Sequence, residues 1–322
     1  MSKRLQQLNQ WLNNDCQLFE YDLAPASADA SFRSYFRITQ KNKKTLIVMD
    51  APPEKENCEP FIEIAKRLTA MNCHAPEILK INLEKGFLLL EDLGERLYLD
   101  ELNQQTVERL YGDALSALMT MQVCVSTENL ATYNKTLLTQ ELALFTDWYL
   151  TQQVQYHLSK QETTELNLIF DLLIENHLEQ PQVFVHRDYH SRNLLICESP
   201  TPGIIDFQDA VKGALTYDLV SLIKDCYIKW PREQVLEWIE GYYDLSMQSG
   251  LLQQVSLEQF IRWADLTAVQ RHLKAIGIFS RLNIRDNKVG YLNDIPRTAN
   301  YIIDLEKEYS ELTVLINILK KF

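Results

Sequence analysis

His186-Arg187-Asp188-Tyr189-His190-Ser191-Arg192-Asn193 is the stretch on which the reading of this chain turns. It follows the apolar run Val183-Phe184-Val185 and precedes two more, Asn193 to Cys197 and Gly203 to Phe207, which flank the turn Pro200-Thr201-Pro202-Gly203. Thirteen residues beyond Asn193 comes Asp206-Phe207-Gln208. An isolated Asp or Asn in a loop ordinarily does no more than satisfy nearby amides. Here three such groups stand on short loops beside strand-like runs, a placement that holds side chains in fixed geometry. Phosphoryl transfer asks for this set: a carboxylate to receive a hydroxyl proton, and oxygen ligands for a magnesium ion.

The octet matches H-R-D-x-x-x-x-N, the catalytic-loop pattern of kinases, without a gap. We assign Asp188 as the base, Asn193 and Asp206 as the metal ligands, and His186 as the residue that orients the loop. On these residues the chain resembles the aminoglycoside phosphotransferase and choline kinase superfamily. The resemblance implies an α+β, two-lobed, protein-kinase-like fold with a small β-rich N-terminal lobe and a larger, mainly helical C-terminal lobe. It also implies ATP and Mg2+ as cofactors and a small-molecule hydroxyl as acceptor.

Working outward, Leu5, Leu8 and Leu12 recur at helical spacing over 3–14, and Phe32 to Thr39 and Thr45 to Met49 read as a hairpin around Gln40-Lys41-Asn42-Lys43. A helix over 60–72 and strands at 78–83 and 87–90 follow, and then mostly helix, strongest at 104–123, 138–154, 161–177, 231–248 and 257–282. The change near 91–95 sets the expected lobes at 1–92 and 93–322. In the N-terminal lobe, Ala28 to Arg37 occupies the place of the phosphate-covering loop without a glycine, so Ser31, Arg33 and Arg37 are the candidate phosphate contacts. The next strand carries Met49 and Asp50 where the kinase pattern carries its lysine, and Arg37 is the substitute candidate. Leu88 to Gly94 resembles the hinge of the superfamily, which implies adenine contacts from main-chain atoms of Glu91 and Leu93.

Only eleven residues separate Asp206 from Asp218, with no A-P-E motif and little length for a peptide-docking platform. Asp218 stands where an N-terminal helix cap would, and the resemblance implies that it also supports the catalytic loop. A net charge of −12 argues against nucleic acid, whose binding needs clustered Lys and Arg. The six cysteines form no C-x-x-C pair, so most are expected to be buried small hydrophobes. Neither a signal-like N-terminus nor a membrane-length apolar run is present, and the expected location is cytoplasmic, without a membrane or an obligatory protein partner.

Finer blocks carry the resemblance further: Ala30 to Arg37, Met49 to Pro53, Ile205 to Tyr227, Gly277-Ile278-Phe279-Ser280-Arg281-Leu282 and Tyr291 to Arg297. They are similar to bacterial kinases acting on the anomeric hydroxyl of N-acetylmuramate and N-acetylglucosamine in cell-wall recycling, which implies an amino-sugar acceptor. Candidate acceptor contacts are His190, Arg192, Asp225 and Tyr227, close in sequence to the catalytic groups. Leu138, Leu142, Phe145, Trp148 and Tyr149 suit either a pocket wall or the core. Competing readings are a kinase of choline, an aminoglycoside or methylthioribose, and a nucleotide-binding pseudokinase suggested by the missing lysine.

Overall fold

The computed structural model describes residues 3–27, 32–198 and 200–322. In chain order the elements begin with α1 (Lys3–Asn14), β1 (Tyr21–Ser27), β2 (Ser34–Gln40), β3 (Thr45–Asp50), α2 (Glu59–Ala70), β4 (Ile78–Asn82) and β5 (Phe87–Glu91). Next come α3 (Tyr98–Glu101), α4 (Val107–Cys124), α5 (Lys135–Leu144), α6 (Lys160–Leu178), β6 (Gln182–Val185), β7 (Leu194–Leu195), β8 (Gly203–Ile204) and β9 (Val211–Ala214). The chain continues with α7 (Thr216–Ile223), α8 (Arg232–Gln248), α9 (Leu257–Asp286), α10 (Ile295–Ile303) and α11 (Thr313–Leu319). Two units result, one of Met1–Leu97 with Leu194–Asp209, the other of Tyr98–Asn193 with Ala210–Phe322.

The first unit is an antiparallel sheet in the order β1-β2-β3-β5-β4. Ile38, Leu46, Val48, Phe87 and Leu89 lie on one face of the sheet, at alternate positions along β3 and β5 as the period of two requires, and meet Leu8, Trp11 and Leu12 of α1; Met49, Leu88 and Leu90 are buried on the other face. The turn into β5 depends on Gly86: its φ is +67°, and a Cβ there would lie 1.8 Å from the Ala51 carbonyl oxygen. Leu194–Asp209, which the sequence alone groups with the helical lobe, folds with this sheet. His74 bridges Gly203, Leu97 bridges Leu195, and the Ile196 and Ile204 amides donate to the Arg96 and His74 carbonyls at 2.8 Å.

The second unit is mainly helical, so the α+β expectation holds. Helix ends fall where side chains satisfy the first free amides. Ser159 and Glu162 form a capping box on α6, and Ser256 accepts from the Gln259 amide at the start of α9. The helix expected over 138–154 is only partly regular: α5 ends at Leu144 and continues as a π-helix over Phe145–Gln153. The change falls where α9 crosses, because Gly277 brings that helix so close that a Cβ would lie 2.6 Å from the Leu144 carbonyl oxygen. Leu138, Leu142, Phe145 and Tyr149 are core residues, whereas Trp148 is half-buried. Three of the six free cysteines, Cys58, Cys73 and Cys226, are buried, fewer than expected, because Cys16, Cys124 and Cys197 sit at partly or fully exposed positions. No helix among the described residues is long and apolar enough to cross a membrane.

Candidate active site

In the second unit, β6 leads into the loop of His186 to Asn193 and pairs with β9 from Gln182↔Ala214 to Val185↔Val211. The loop bends sharply at Arg187, whose φ of +76° is uncommon for a residue with a side chain. Surrounding contacts hold that conformation in place. Asp218, fully buried at the start of α7, accepts from the His186 amide at 2.6 Å and the Arg187 amide at 3.0 Å. Burial pushes the Asp218 carboxyl up to about 7 against these two amide bonds and the nearby Arg271.

Farther along, the Asp188 amide donates to His186 Nδ1 at 3.3 Å, and the Tyr189 hydroxyl donates to the Ala114 carbonyl at 2.8 Å. Asn193 donates through Nδ2 to the Asp188 carbonyl at 3.0 Å, which orients its amide group within the loop. Asp225 accepts from the Ser191 amide at 2.9 Å, from the Ser191 hydroxyl, and from the Tyr227 amide at 3.0 Å. Asp225 therefore serves the backbone of both segments.

Sequence reasoning missed the charges beneath the loop. Glu141 of α5 is buried and accepts from Arg187 at 2.7 Å, from the Tyr133 hydroxyl, and from Gln270 at 3.3 Å. Lys274 of α9 lies 3.2 Å from Glu141 and donates to the Tyr217 hydroxyl at 3.2 Å. Arg271 stands three residues earlier on the same helix. Burial works to raise the Asp188 carboxyl, but Lys274, His190, Arg271 and Arg187 outweigh it and hold the group at about 2. Burial lowers His190, with Asp225 and Asp188 acting against it. The available signal was a pair of basic residues, Arg271 and Lys274, spaced i, i+3 on one long helical run; sequence could not reveal which loop they faced.

Three of the acceptor candidates come together. The Arg192 guanidinium lies over the Tyr227 ring at 3.6 Å, and the His190 ring centre is 5.4 Å from that of Tyr227. Phe279 and Tyr291 extend the aromatic patch, stacked at 5.6 Å with Phe279 beside Tyr227. Asp225, the fourth, is the backbone support described above.

In the first unit, Asp206 also has a left-handed backbone, φ +64°, and accepts from Gln208 Nε2 at 2.9 Å. Buried Phe207 packs on Phe61 of α2 with ring centres 4.9 Å apart. Arg37 is held by Asp92 at 2.6 and 3.0 Å, by the Gly94 carbonyl at 3.0 Å, and by Glu95. Arg33 pairs with Glu56 at 3.1 Å ahead of α2. At the lysine position of β3, Met49 is fully buried and Asp50 accepts from Arg4 at 2.8 Å. The Glu91 amide donates to Glu77 O at 2.9 Å, and the Leu93 carbonyl accepts from the Cys197 thiol at 3.6 Å. Ser31 lies outside the described residues.

Solved structures share this fold. Choline kinase LicA from Streptococcus pneumoniae matches with a TM-score of 0.64 at 11% identity, covering 93% of this chain and 99% of that one. ADP-bound aminoglycoside phosphotransferase APH(2'')-Ib matches at 0.59 and 15% identity, covering 92% and 96%. The fold is thus protein-kinase-like. Residues 22–250 match the model of the phosphotransferase enzyme family (APH), and the chain belongs to that family. It is 44% identical over 309 residues to the N-acetylmuramate/N-acetylglucosamine kinase of Pseudomonas aeruginosa, covering 93% of this chain and 91% of that protein. Identity to the Pseudomonas putida protein of that name is 41% over 326 residues (97% and 96% covered), and to that of Neisseria meningitidis 34% over 316 residues (97% and 94%). The chain is an enzyme that moves a phosphoryl group, from ATP as kinases of this family do, to a small-molecule alcohol.

Proposed function

We propose that the chain phosphorylates the anomeric C1 hydroxyl of N-acetylmuramate and N-acetylglucosamine, as a cytoplasmic step in cell-wall recycling. The observation that carries this reading is 44% identity, along nearly the whole chain, to a kinase named for these two sugars. Asp188 is the base. The C1 oxygen attacks the γ-phosphorus of ATP, the bond from that phosphorus to the bridging oxygen breaks to release ADP, and the hydroxyl proton passes to the Asp188 carboxylate.

A carboxylate held at about 2 is ionised throughout neutral pH. It therefore orients the hydroxyl from the start and takes the proton as the new P–O bond makes that oxygen acidic. A hemiacetal hydroxyl, the most acidic on the sugar, suits so weak a base. Asp218 and His186 hold the loop.

Asn193 and Asp206 are the proposed magnesium ligands. Both offer the hard oxygen donors that magnesium takes. The ion would neutralise phosphate charge. Ser31, Arg33, Arg37 and the main chain of Glu91 and Leu93 are the proposed nucleotide contacts.

The test is ADP release with each free sugar and with its 1-O-methyl glycoside. The free sugars should react, to give an acid-labile monophosphate, and the glycosides should be inert. Turnover of a glycoside, or an acid-stable product, would contradict the anomeric assignment.

A further inference from the structure

Near His190 in the second unit, the guanidinium groups of Arg192 and Arg271 make no ion pair with a carboxylate among the described residues. Arg192 lies face-on over Tyr227 and makes no ion pair or hydrogen bond among the described residues. Arg271 is only 6% exposed, yet it donates only to Cys226 Sγ, at 4.0 Å, and its Nε has no partner. His190, whose Nδ1 is also without a partner, feels both guanidiniums. Leaving a buried charge unpaired is costly, and a chain with 44 acidic residues has ample means to avoid it. Asp188, Asp218 and Asp225 share the field of Arg271 without an ion pair to it among the described residues; Asp225 is committed to the Ser191 and Tyr227 amides and Asp218 to those of His186 and Arg187.

Stacking on Tyr227 fixes the plane of Arg192 and leaves its N–H donors along the edge, the geometry that grips a carboxylate with two parallel hydrogen bonds. Arg271 stands on α9, beyond the residues 22–250 matched by the family model, which suits a role tied to this acceptor rather than one common to the family.

We propose that Arg192 and Arg271, with His190 beside them, form a subsite for a carboxylate of the acceptor, namely the lactyl carboxylate that N-acetylmuramate carries and N-acetylglucosamine lacks. The proposal rests on the acceptor reading above. It places charge recognition on the loop that carries Asp188, and it leaves N-acetylglucosamine a weaker substrate rather than an excluded one.

The experiment compares kcat/KM for N-acetylmuramate, its methyl ester and N-acetylglucosamine, in the wild type, Arg192→Met and Arg192→Lys. The wild type should prefer the free acid to the ester by ~10- to 100-fold, the range expected for hydrogen bonds to a charged group. Arg192→Met should lose most of that preference, and Arg192→Lys should keep part of it, as a point charge without the fork. The ester series on the wild type decides the matter even if a variant folds poorly. Equal handling of acid and ester by the wild type, or an equal loss on all three substrates in Arg192→Met, would overturn the subsite while leaving the acceptor reading intact. A wild type that phosphorylates neither sugar would overturn both.

Discussion

Glu141 is the carboxylate on which the buried charges beneath the catalytic loop balance, and Glu141→Gln is the perturbation that exposes this. The residue is 5% exposed and is met by Arg187 at 2.7 Å, Lys274 at 3.2 Å, Gln270 at 3.3 Å and the Tyr133 hydroxyl. Glutamine keeps the shape but leaves two cations facing a neutral amide. Removing one partner of a buried ion pair costs about 3–5 kcal/mol. Urea unfolding should show that loss at neutral pH. Removing one cation as well, in Glu141→Gln/Lys274→Met, should restore at least ~1 kcal/mol, because contacting charges are non-additive. The pH dependence has a definite sign. Burial raises the Glu141 carboxyl, but Lys274, Arg187 and the Tyr133 hydroxyl outweigh it and hold it below the ordinary 4.5. Its contribution is therefore present above 4.5 and fades as pH falls through the lowered folded-state value, so the gap between wild type and Glu141→Gln should narrow in acid. A Glu141→Gln protein within ~1 kcal/mol of wild type at pH 7, or a double variant no more stable than the single, would refute the charge-balance argument.

Further outcomes follow from the loop and its supports. Asp188→Asn should lower turnover by ~100-fold or more with nucleotide affinity nearly intact, checked by ADP release and nucleotide titration; near-wild-type turnover would exclude Asp188 as the base. Asp206→Ala should weaken magnesium-dependent ATP binding in calorimetry, and unchanged Mg·ATP affinity would remove Asp206 from the ligand set. Asp218→Ala strips the His186 and Arg187 amides of their acceptor and should destabilise the protein by ~1–3 kcal/mol, with a fall in kcat larger than the rise in KM. An unaltered kcat would show that the loop holds its shape without Asp218.

Elements built from local signals were legible in the sequence. The apolar spacing of Leu8 and Leu12 with Trp11 beside them, and the alternation through Leu46 and Val48, have one physical solution, a helix laid on a sheet. The turn at Asn287, in the left-handed region with φ 54°, closes α9 a few residues past the expected end. The π-helix over Phe145–Gln153 was not legible, because its cause is a helix that crosses it at Gly277, far along the chain. The short helices α10 and α11 were also missed. Each is too short for its own periodicity to stand out.

The candidate site divides along the same line. Asp188, Asn193 and Asp206 could be proposed from sequence because their spacing is a property of one loop and the short hairpin that follows it. Glu141, Arg271 and Lys274 were not, since they reach the loop only through the packing of α5 and α9. Net charge is silent about the site for a related reason. At −12 the chain is acidic as a whole, yet around Asp188 it gathers four cations, Arg187, Arg192, Arg271 and Lys274, among the carboxylates of Asp188, Glu141, Asp218 and Asp225. Average charge governs solubility and long-range partners, whereas a buried site is decided by the few groups within one or two side-chain lengths. An acidic protein can therefore gather buried cations around one loop, and these few groups, rather than the overall charge, bear on what that loop can hold.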